Sequence, residues 1–264
     1  MKHSIMCGSF RSGTSICSII VSKHSEVIYT DELWTYKNTV TVNKKIEKLN
    51  NRFPNLVGRP FINKQTLGNG YQNFLNEWKK SKVKNSNDLI QRLLKHSDKD
   101  NIKIVGDKVP EYVFNLLTLD KSLNKPKFIM CIRDGRDVIQ SQISRYNYFM
   151  KLQGHTRPHF WTHSTVEDCI SDWRSWFSYM SAWDTNKKNL DYYEIYYPKL
   201  VKNPEIVGSE LAEFLGVNKE EMSKLFKETI NPKKHEAWKK DFPELNSKLP
   251  EKWKEMLLKY GFEI

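Results

Sequence analysis

The sequence has few cysteines and no apolar run long enough to cross a membrane. No stretch approaches the ~18 consecutive apolar residues that a membrane helix needs. Polar residues around Arg11 interrupt the first apolar run, so the N-terminus does not show the pattern of a signal peptide. The four cysteines contain no CxxC pair and predict reduced, mostly buried thiols in a cytoplasmic protein. Neither a disulfide framework nor a zinc site is expected.

The chain also lacks internal repeats, linkers and concentrated charge. Its 264 residues are 39% hydrophobic and 28% charged, which is typical of a globular protein, and we expect one domain over 1–264. The net charge of +12 indicates acidic partners, such as nucleic acid, an anionic membrane surface or a polyanionic small ligand. Because the lysines are scattered and no nucleic-acid-binding signature occurs, no specific nucleic-acid partner is expected.

Three histidines at four-residue spacing suggest a metal site at first sight. They are His155, His159 and His163. Pro158 argues against one helix that presents all three on the same face, and no acidic or cysteine ligand is interleaved. No metal is therefore predicted.

A small-residue loop near the N-terminus is the first candidate binding site. The apolar residues 5–8 lead into Arg11-Ser12-Gly13-Thr14-Ser15, and residues 16–21 are apolar enough for a buried helix. This layout aims backbone N–H groups and a helix dipole at an anion. The nucleoside-triphosphatase motif requires a lysine where Thr14 stands. An ordinary strand–turn–helix start, with serines that cap the helix, is the alternative.

The remaining pattern predicts an α/β fold with a central parallel sheet flanked by helices, similar to P-loop proteins. Strands are predicted at 26–30, 102–106, 128–132 and 191–197, and helices at 71–80, 86–96, 111–119, from 135 to about 150, and at 166–183, 204–215, 218–229 and 250–260. Residues 33–72 are expected to be irregular apart from one short helix near 42–50. This segment is long enough to act as a functional lid, and residues 151–164 are predicted to form a second irregular segment.

Two further strand-to-helix turns carry cations. Lys108 follows the strand at 102–106, and Arg133 follows the strand at 128–132, with Ser141 eight residues later. One phosphate cradle suggests a nucleotide, whereas two suggest a ligand with phosphates at both ends, such as adenosine 3′,5′-bisphosphate.

On these residues the chain resembles the sulfotransferases that use 3′-phosphoadenosine 5′-phosphosulfate (PAPS). Four pieces carry the resemblance in family order: Arg11-Ser12-Gly13-Thr14-Ser15, Gly106-Asp107-Lys108-Val109-Pro110, Arg133 with Ser141, and Tyr196-Tyr197-Pro198-Lys199-Leu200 followed by Phe214-Leu215-Gly216. In the fourth piece, Pro198-Lys199 replaces the usual acidic pair. The Arg-Ser-Gly form of the first loop is most similar to tyrosylprotein sulfotransferases and to bacterial or viral relatives.

The resemblance implies roles for most of the residues singled out. Arg11 and Lys108 would stabilise the transferring sulfonate and the leaving phosphate, as sulfuryl transfer requires. The other implied donor-binding residues are Ser12, Gly13, Thr14 and Ser15 for the 5′-phosphate, Arg133 and Ser141 for the 3′-phosphate, Tyr197 from the fourth piece, and Lys233 and Lys234, which would close over the 3′-phosphate. A solvated basic turn is the alternative for the two lysines.

A general base must take the proton of the acceptor hydroxyl. Glu32 stands 21 residues after Arg11, where the tyrosylprotein branch places its glutamate, and is the first choice. Asp31 is the second and a histidine of 155–163 the third. In the alternative, Glu32 is a solvated strand end, and Lys108 pairs with Asp107 or Glu111.

The sequence therefore predicts a PAPS-dependent sulfotransferase without a metal. Its expected acceptor is a hydroxyl of a carbohydrate, a small molecule or a phenol, with 33–72 and 151–164 shaping the acceptor pocket. A P-loop-like kinase, or a nucleotide-binding protein without catalysis, is the alternative. The sequence does not determine the acceptor or the oligomeric state.

Overall fold

In this computed structural model, one parallel sheet forms the centre of the molecule. The residues described are 1–36, 39–52, 64–152, 161–230 and 236–264. The strands are β1 (Lys2–Gly8), β2 (Val27–Asp31), β3 (Ile104–Lys108), β4 (Lys127–Ile132) and β5 (Tyr192–Tyr196), in the spatial order β2-β3-β1-β4-β5. Every pairing is parallel. The α/β class with a central parallel sheet is thus confirmed.

Helices cover both faces of this sheet. They are α1 (Thr14–Lys23), α2 (Thr39–Arg52), α3 (Lys64–Leu67), α4 (Tyr71–Lys80), α5 (Ser86–His96), α6 (Leu116–Ser122), α7 (Gly135–Leu152), α8 (Val166–Ser171), α9 (Trp176–Asn186), α10 (Tyr197–Lys202), α11 (Pro204–Leu215), α12 (Lys219–Thr229), α13 (Trp238–Asp241), α14 (Leu245–Lys248) and α15 (Glu251–Lys259). Short 3-10 helices lie at Gly68–Gly70, Pro110–Asn115 and Lys187–Asn189. None of the helices in the described ranges is long and apolar enough to span a membrane.

The alternation of side chains along the strands divides the core into two layers. On β4, Phe128 and Met130 pack in a cluster with the tryptophans of α9 and α15, while Ile129 faces a second cluster with α1, α11 and α12. Successive residues of a strand point to opposite faces, so a strand covered on both faces is apolar throughout. A third cluster packs α2, α4 and α5 on β2 and β3. All four cysteines are buried, as predicted.

Two segments differ from the predicted elements. The tryptophan-rich segment forms two helices, because the Asp172 side chain accepts a hydrogen bond from the Arg174 backbone N–H at 2.8 Å and turns the chain there. The segment 33–72 has more helix than predicted, since α2 spans 14 residues and α3 follows. Trp78 Nε1 donates to Asn43 Oδ1 at 2.9 Å, which ties α2 to α4 across this segment.

The sheet order places three loops at one end of the molecule. β1 lies between β3 and β4, and the connection from β1 runs to β2 on one side, whereas the connection from β4 runs to β5 on the other side. In open parallel sheets, ligands bind outside the carboxyl ends of the strands at this switch point. The loops that follow β1 and β4 carry Arg11 and Arg133, and Lys108 is the last residue of β3, two residues beyond the predicted end of that strand. All three cations therefore lie at the carboxyl ends of the strands, where a ligand is expected.

Candidate active site

The loop between β1 and α1 is closed by its own backbone and leaves a helix N-terminus open. The Ser12 N–H and hydroxyl both donate to the Ser9 carbonyl, at 3.1 and 2.7 Å. Gly13 precedes α1 with φ 99° and supplies no capping side chain. The first N–H groups of α1 and its dipole thus favour an anion at this position.

Two arginines near the start of α7, Arg133 and Arg136, make different contacts. Arg136 is buried, and its guanidinium contacts Asp134 at 2.6 Å, Asn246 at 2.8 Å and the Glu263 carbonyl at 2.6 Å. Asp134 also caps α7 by accepting from the Arg136 N–H at 2.8 Å. Arg133 instead lines a cavity, with its Nε 3.6 Å from Asp137. Arg136 therefore has a structural role, and Arg133 is placed to contact a ligand.

Direct contacts join the two loops. Arg133 Nη1 donates to the Arg11 carbonyl at 3.1 Å, and Arg11 Nε donates to Ser141 Oγ at 3.0 Å. The Arg133 guanidinium lies 4.4 Å from the centroid of the Tyr197 ring. A Cβ on Gly13 would stand 3.0 Å from the same ring. Residues more than a hundred positions apart thus form one surface around Tyr197.

This surface encloses a cavity of about 700 Å³, which we name the two-arginine cavity. Of the predicted donor-binding residues, seven line it: Arg11, Gly13, Thr14, Ser15, Arg133, Ser141 and Tyr197. Ser12 is buried and its hydroxyl is engaged by Ser9, so it shapes the loop and does not line the cavity. Lys233 and Lys234 lie outside the described residues.

One face of α7 also lines the cavity and was not predicted from the sequence. Gln140, Ser144, Arg145 and Tyr148 line the cavity together with Ser141. The Arg145 guanidinium stacks on Tyr148, at 4.8 Å from the ring centroid. Positions i+3, i+4 and i+7 share a helix face, so the helical repeat from Ser141 onward was the signal that would have found Ser144, Arg145 and Tyr148.

A second group of side chains lies where β2 and β3 end side by side. The strand register pairs Asp31 with Lys108. The fully buried Lys108 Nζ is 2.6 Å from Asp31 Oδ1 and 2.6 Å from Glu32 Oε1, and it donates to Ser15 Oγ at 3.2 Å. Burial lowers the pKa of Lys108, but the charges of Asp31 and Glu32 outweigh burial and raise it above its usual value. We name Asp31, Glu32 and Lys108 the lysine–carboxylate cluster.

The two carboxylates of this cluster differ in access to solvent. The Glu32 side chain is 41% exposed, whereas that of Asp31 is 18% exposed. Glu32 is the more accessible of the two candidate bases. Asp107, one of the two predicted alternative partners of Lys108, points to the other face of the sheet. There its carboxylate accepts from Thr30 and Tyr112.

The histidines of 155–163, the third choice for the base, and the segment 151–164 are only partly included in the described residues. His163 Nε2 is 2.8 Å from Asp172, while His155 and His159 lie outside the described residues. Trp161 stacks on Phe10 and lies 5.6 Å from the Arg11 guanidinium. Over the part of the chain that the structure describes, no three His, Cys, Asp or Glu side chains group as metal ligands.

Comparisons with known proteins identify the family. A model of the sulfotransferase family matches residues 5–221. The sulfotransferase domain of the Synechococcus PCC 7002 olefin synthase is 16% identical with a TM-score of 0.57, over 100% of this chain and 95% of that chain. The sulfotransferase domain of the curacin biosynthetic pathway is 16% identical with a TM-score of 0.61, over 100% and 98%.

A third structure, mouse sulfotransferase SULT7A1 complexed with PAP, is 14% identical with a TM-score of 0.51, over 97% of this chain and 84% of that chain. At these identities the three structures show a shared fold. No curated protein matches the chain. Because the family match extends over most of its length, the chain belongs to the sulfotransferase family.

Proposed function

We propose that this protein transfers a sulfuryl group from PAPS to the hydroxyl of an acceptor. The observation that carries the proposal is the two-arginine cavity, in which Arg11 and Arg133 come from two strand-to-helix loops joined through Ser141. Two anion sites in one cavity suit a nucleotide with phosphates on both its 3′ and 5′ positions. The mouse neighbour, which is complexed with PAP (adenosine 3′,5′-bisphosphate), supports the same donor class.

The residues of the cavity fit such a donor. Gly13 leaves the start of α1 open, so the N–H groups there and the hydroxyls of Thr14 and Ser15 would hold the 5′-phosphate. Arg133 and Ser141 would hold the 3′-phosphate, with Arg145 as a further cation on the same wall. Lys233 and Lys234 are proposed to close over this phosphate. The donor supplies the sulfuryl group that is transferred.

The lysine–carboxylate cluster would carry out the chemistry. Arg11 and Lys108 would balance the negative charge that develops on the leaving phosphate and the sulfonyl oxygens. Glu32 would accept the proton of the acceptor hydroxyl, since its carboxylate is the more exposed one. Lys108 already contacts Ser15, so one ammonium links the phosphate loop to the proposed base.

The acceptor side is proposed from position alone. Residues 33–36 directly follow Glu32, and Trp161 lies 5.6 Å from the Arg11 guanidinium. We therefore assign the segments 33–72 and 151–164 to binding of a carbohydrate, small-molecule or phenol acceptor in the cytoplasm. Trp34 and Trp161 are the aromatic side chains of these segments that lie against Lys45 and Arg11.

Calorimetric titration of PAP and of adenosine 5′-phosphate tests the donor site. Wild type is expected to bind PAP more tightly than adenosine 5′-phosphate, and Arg133→Ala is expected to remove this preference. Equal affinity for both nucleotides in wild type would contradict the proposal. Transfer from ³⁵S-labelled PAPS to a panel of sugars, phenols and alcohols, without added metal, then tests the reaction itself.

A further inference from the structure

The backbone at the proposed base is held in a conformation that non-glycine residues avoid. Glu32 has φ 55° and Trp34 has φ 62°. Left-handed backbone is strained for a non-glycine residue, and such strain persists only where surrounding contacts impose it. Strain of this kind concentrates at functional sites.

The buried carboxylate of Asp107 holds one side of this turn. It accepts hydrogen bonds from the backbone N–H groups of Leu33 and Thr35, at 3.3 and 3.0 Å. The Glu32 N–H donates to the Lys108 carbonyl at 2.6 Å. These three bonds fix N–H groups of the turn and leave the carbonyl of Glu32 to another donor.

That donor is Lys45, which comes from α2. Its Nζ donates to the Glu32 carbonyl and lies 5.6 Å from the centroid of the Trp34 ring, so it contacts both strained residues. The lysine is partly buried, and the charged groups around it are Glu32, Asp107, Glu111 and Lys108. No motif that carries the family resemblance includes it.

We propose that Lys45 is a positioning residue that holds the backbone of Glu32 in place for proton transfer. The proposal rests on the proposed roles of Glu32 and Lys108. In the structure the Glu32 carboxylate is anchored by Lys108 and its backbone by Lys45. When Lys108 turns to the donor, the Glu32 carboxylate loses this contact, and the backbone contact from Lys45 keeps Glu32 at the acceptor.

Hydrogen exchange measured by mass spectrometry tests the holding role without any reaction. Lys45→Met is expected to speed exchange in a peptide that covers 31–36 by about tenfold, because a hydrogen bond from a charged group is lost. Lys45→Arg should restore most of the protection. Lys44→Met is the matched control, since Lys44 is the exposed neighbour on the same helix. Unchanged exchange in Lys45→Met would overturn the proposal.

A double-mutant cycle then tests the link to catalysis. Sulfuryl transfer from PAPS is measured with p-nitrophenol and, separately, with water as the acceptor. For both reactions, Lys45→Met is expected to lower kcat by about 10- to 100-fold and to leave PAP affinity unchanged. In the Glu32→Gln background the same substitution should add little, because Lys45 acts through Glu32.

A fully additive loss would overturn the proposal, as would a raised acceptor KM at unchanged kcat, which would place Lys45 on the acceptor. Full activity of Glu32→Gln alone would instead overturn the proposed role of Glu32. The exchange measurement still decides in that case whether Lys45 holds the turn.

Discussion

The two-arginine cavity is built from short loops, whereas the lysine–carboxylate cluster depends on contacts between distant segments. Each loop of the cavity joins a core strand directly to the helix that follows, as β1 joins α1 and β4 joins α7. The turn at Glu32 is instead held by Asp107 of β3 and by Lys45 of α2. Each loop of the proposed donor site is thus specified by a local stretch of sequence, whereas the position of the proposed base depends on contacts between distant segments.

This difference predicts that the two regions fail in different ways. Substitutions in the cavity should weaken binding of PAP and leave the chemical step of the bound complex largely intact. Substitutions in the cluster should slow the chemical step and leave PAP binding largely intact. The following predictions test this separation, from the largest expected effect to the smallest.

Lys108→Met is expected to have the largest effect on rate. It removes the ammonium that lies against Glu32 and Ser15, and loss of one such stabilising group lowers rates by about 10²- to 10³-fold. PAP affinity should change far less than the rate of PAP release from PAPS. Lys103→Met, which removes only an exposed ion pair with Glu26, is the control. An equal loss of PAP affinity would break the separation of the two regions.

Arg133→Lys should act on binding. A lysine keeps the charge but loses the planar, bidentate guanidinium, so the Kd for PAP is expected to rise about 10- to 100-fold. Affinity for adenosine 5′-phosphate should stay the same, because it lacks the 3′-phosphate. Arg136→Lys is the matched control, since Arg136 is buried against Asp134 and Asn246. It should lower Tm and spare PAP affinity, and the reverse result would exchange the two assignments.

Much of the cavity was predictable because its signals are local. The loop over 11–15 and the pair Arg133 and Ser141 are short patterns that specify strand–turn–helix geometry. Arg145 and Tyr148 followed from the helical repeat and were missed only because the motif ended at Ser141. The strands were predictable for a related reason, since burial on both faces makes residues 128–132 apolar throughout.

The residues of the lysine–carboxylate cluster were predictable from the sequence, but the contacts that hold them in place were not. Lys108 was singled out by its place after a predicted strand and Glu32 by the family resemblance, yet their pairing depends on β2 and β3 being neighbours, which no local pattern predicts. The same order of strands directs Asp107 to the turn at Leu33 and Thr35. Lys45 lies on a helix whose sequence shows only polar residues around a few apolar ones, so nothing in the sequence distinguished it from the other lysines of the chain.

Gly13→Ala should have a smaller effect that combines strain with crowding. At φ 99°, alanine is strained, and its Cβ would stand 3.0 Å from the Tyr197 ring that packs under Arg133. We expect stability to fall by about 1 kcal/mol and PAP affinity to fall about tenfold. Gly216→Ala is the control, since φ is 77° there and nothing lies within 4 Å of a new Cβ. It should lose stability alone, and a matching loss of PAP affinity would remove the role assigned to Tyr197.

The smallest expected effect on PAP binding concerns the far end of α1. Lys99 Nζ donates to the carbonyls of His24 and Val27, at 3.1 and 2.7 Å, and burial lowers the pKa of Lys99 to about 8. Because the pKa is lower in the folded state than in the unfolded state, the folded protein binds this proton less well. Stability relative to Lys99→Met should therefore rise as pH increases from about 8 towards the ordinary lysine pKa of about 10.4.

Thermal melts of both proteins between pH 7 and pH 10 measure this difference, and PAP titrations at the same pH values accompany them. The end of α1 that Lys99 contacts is remote from the two-arginine cavity, so the pH dependence of Tm should differ between the two proteins while that of PAP affinity does not. If Lys99→Met changes the pH dependence of both Tm and PAP affinity, strain at the C-terminal end of α1 affects the loop between β1 and α1. Donor binding would then depend on the whole helix and would no longer be local.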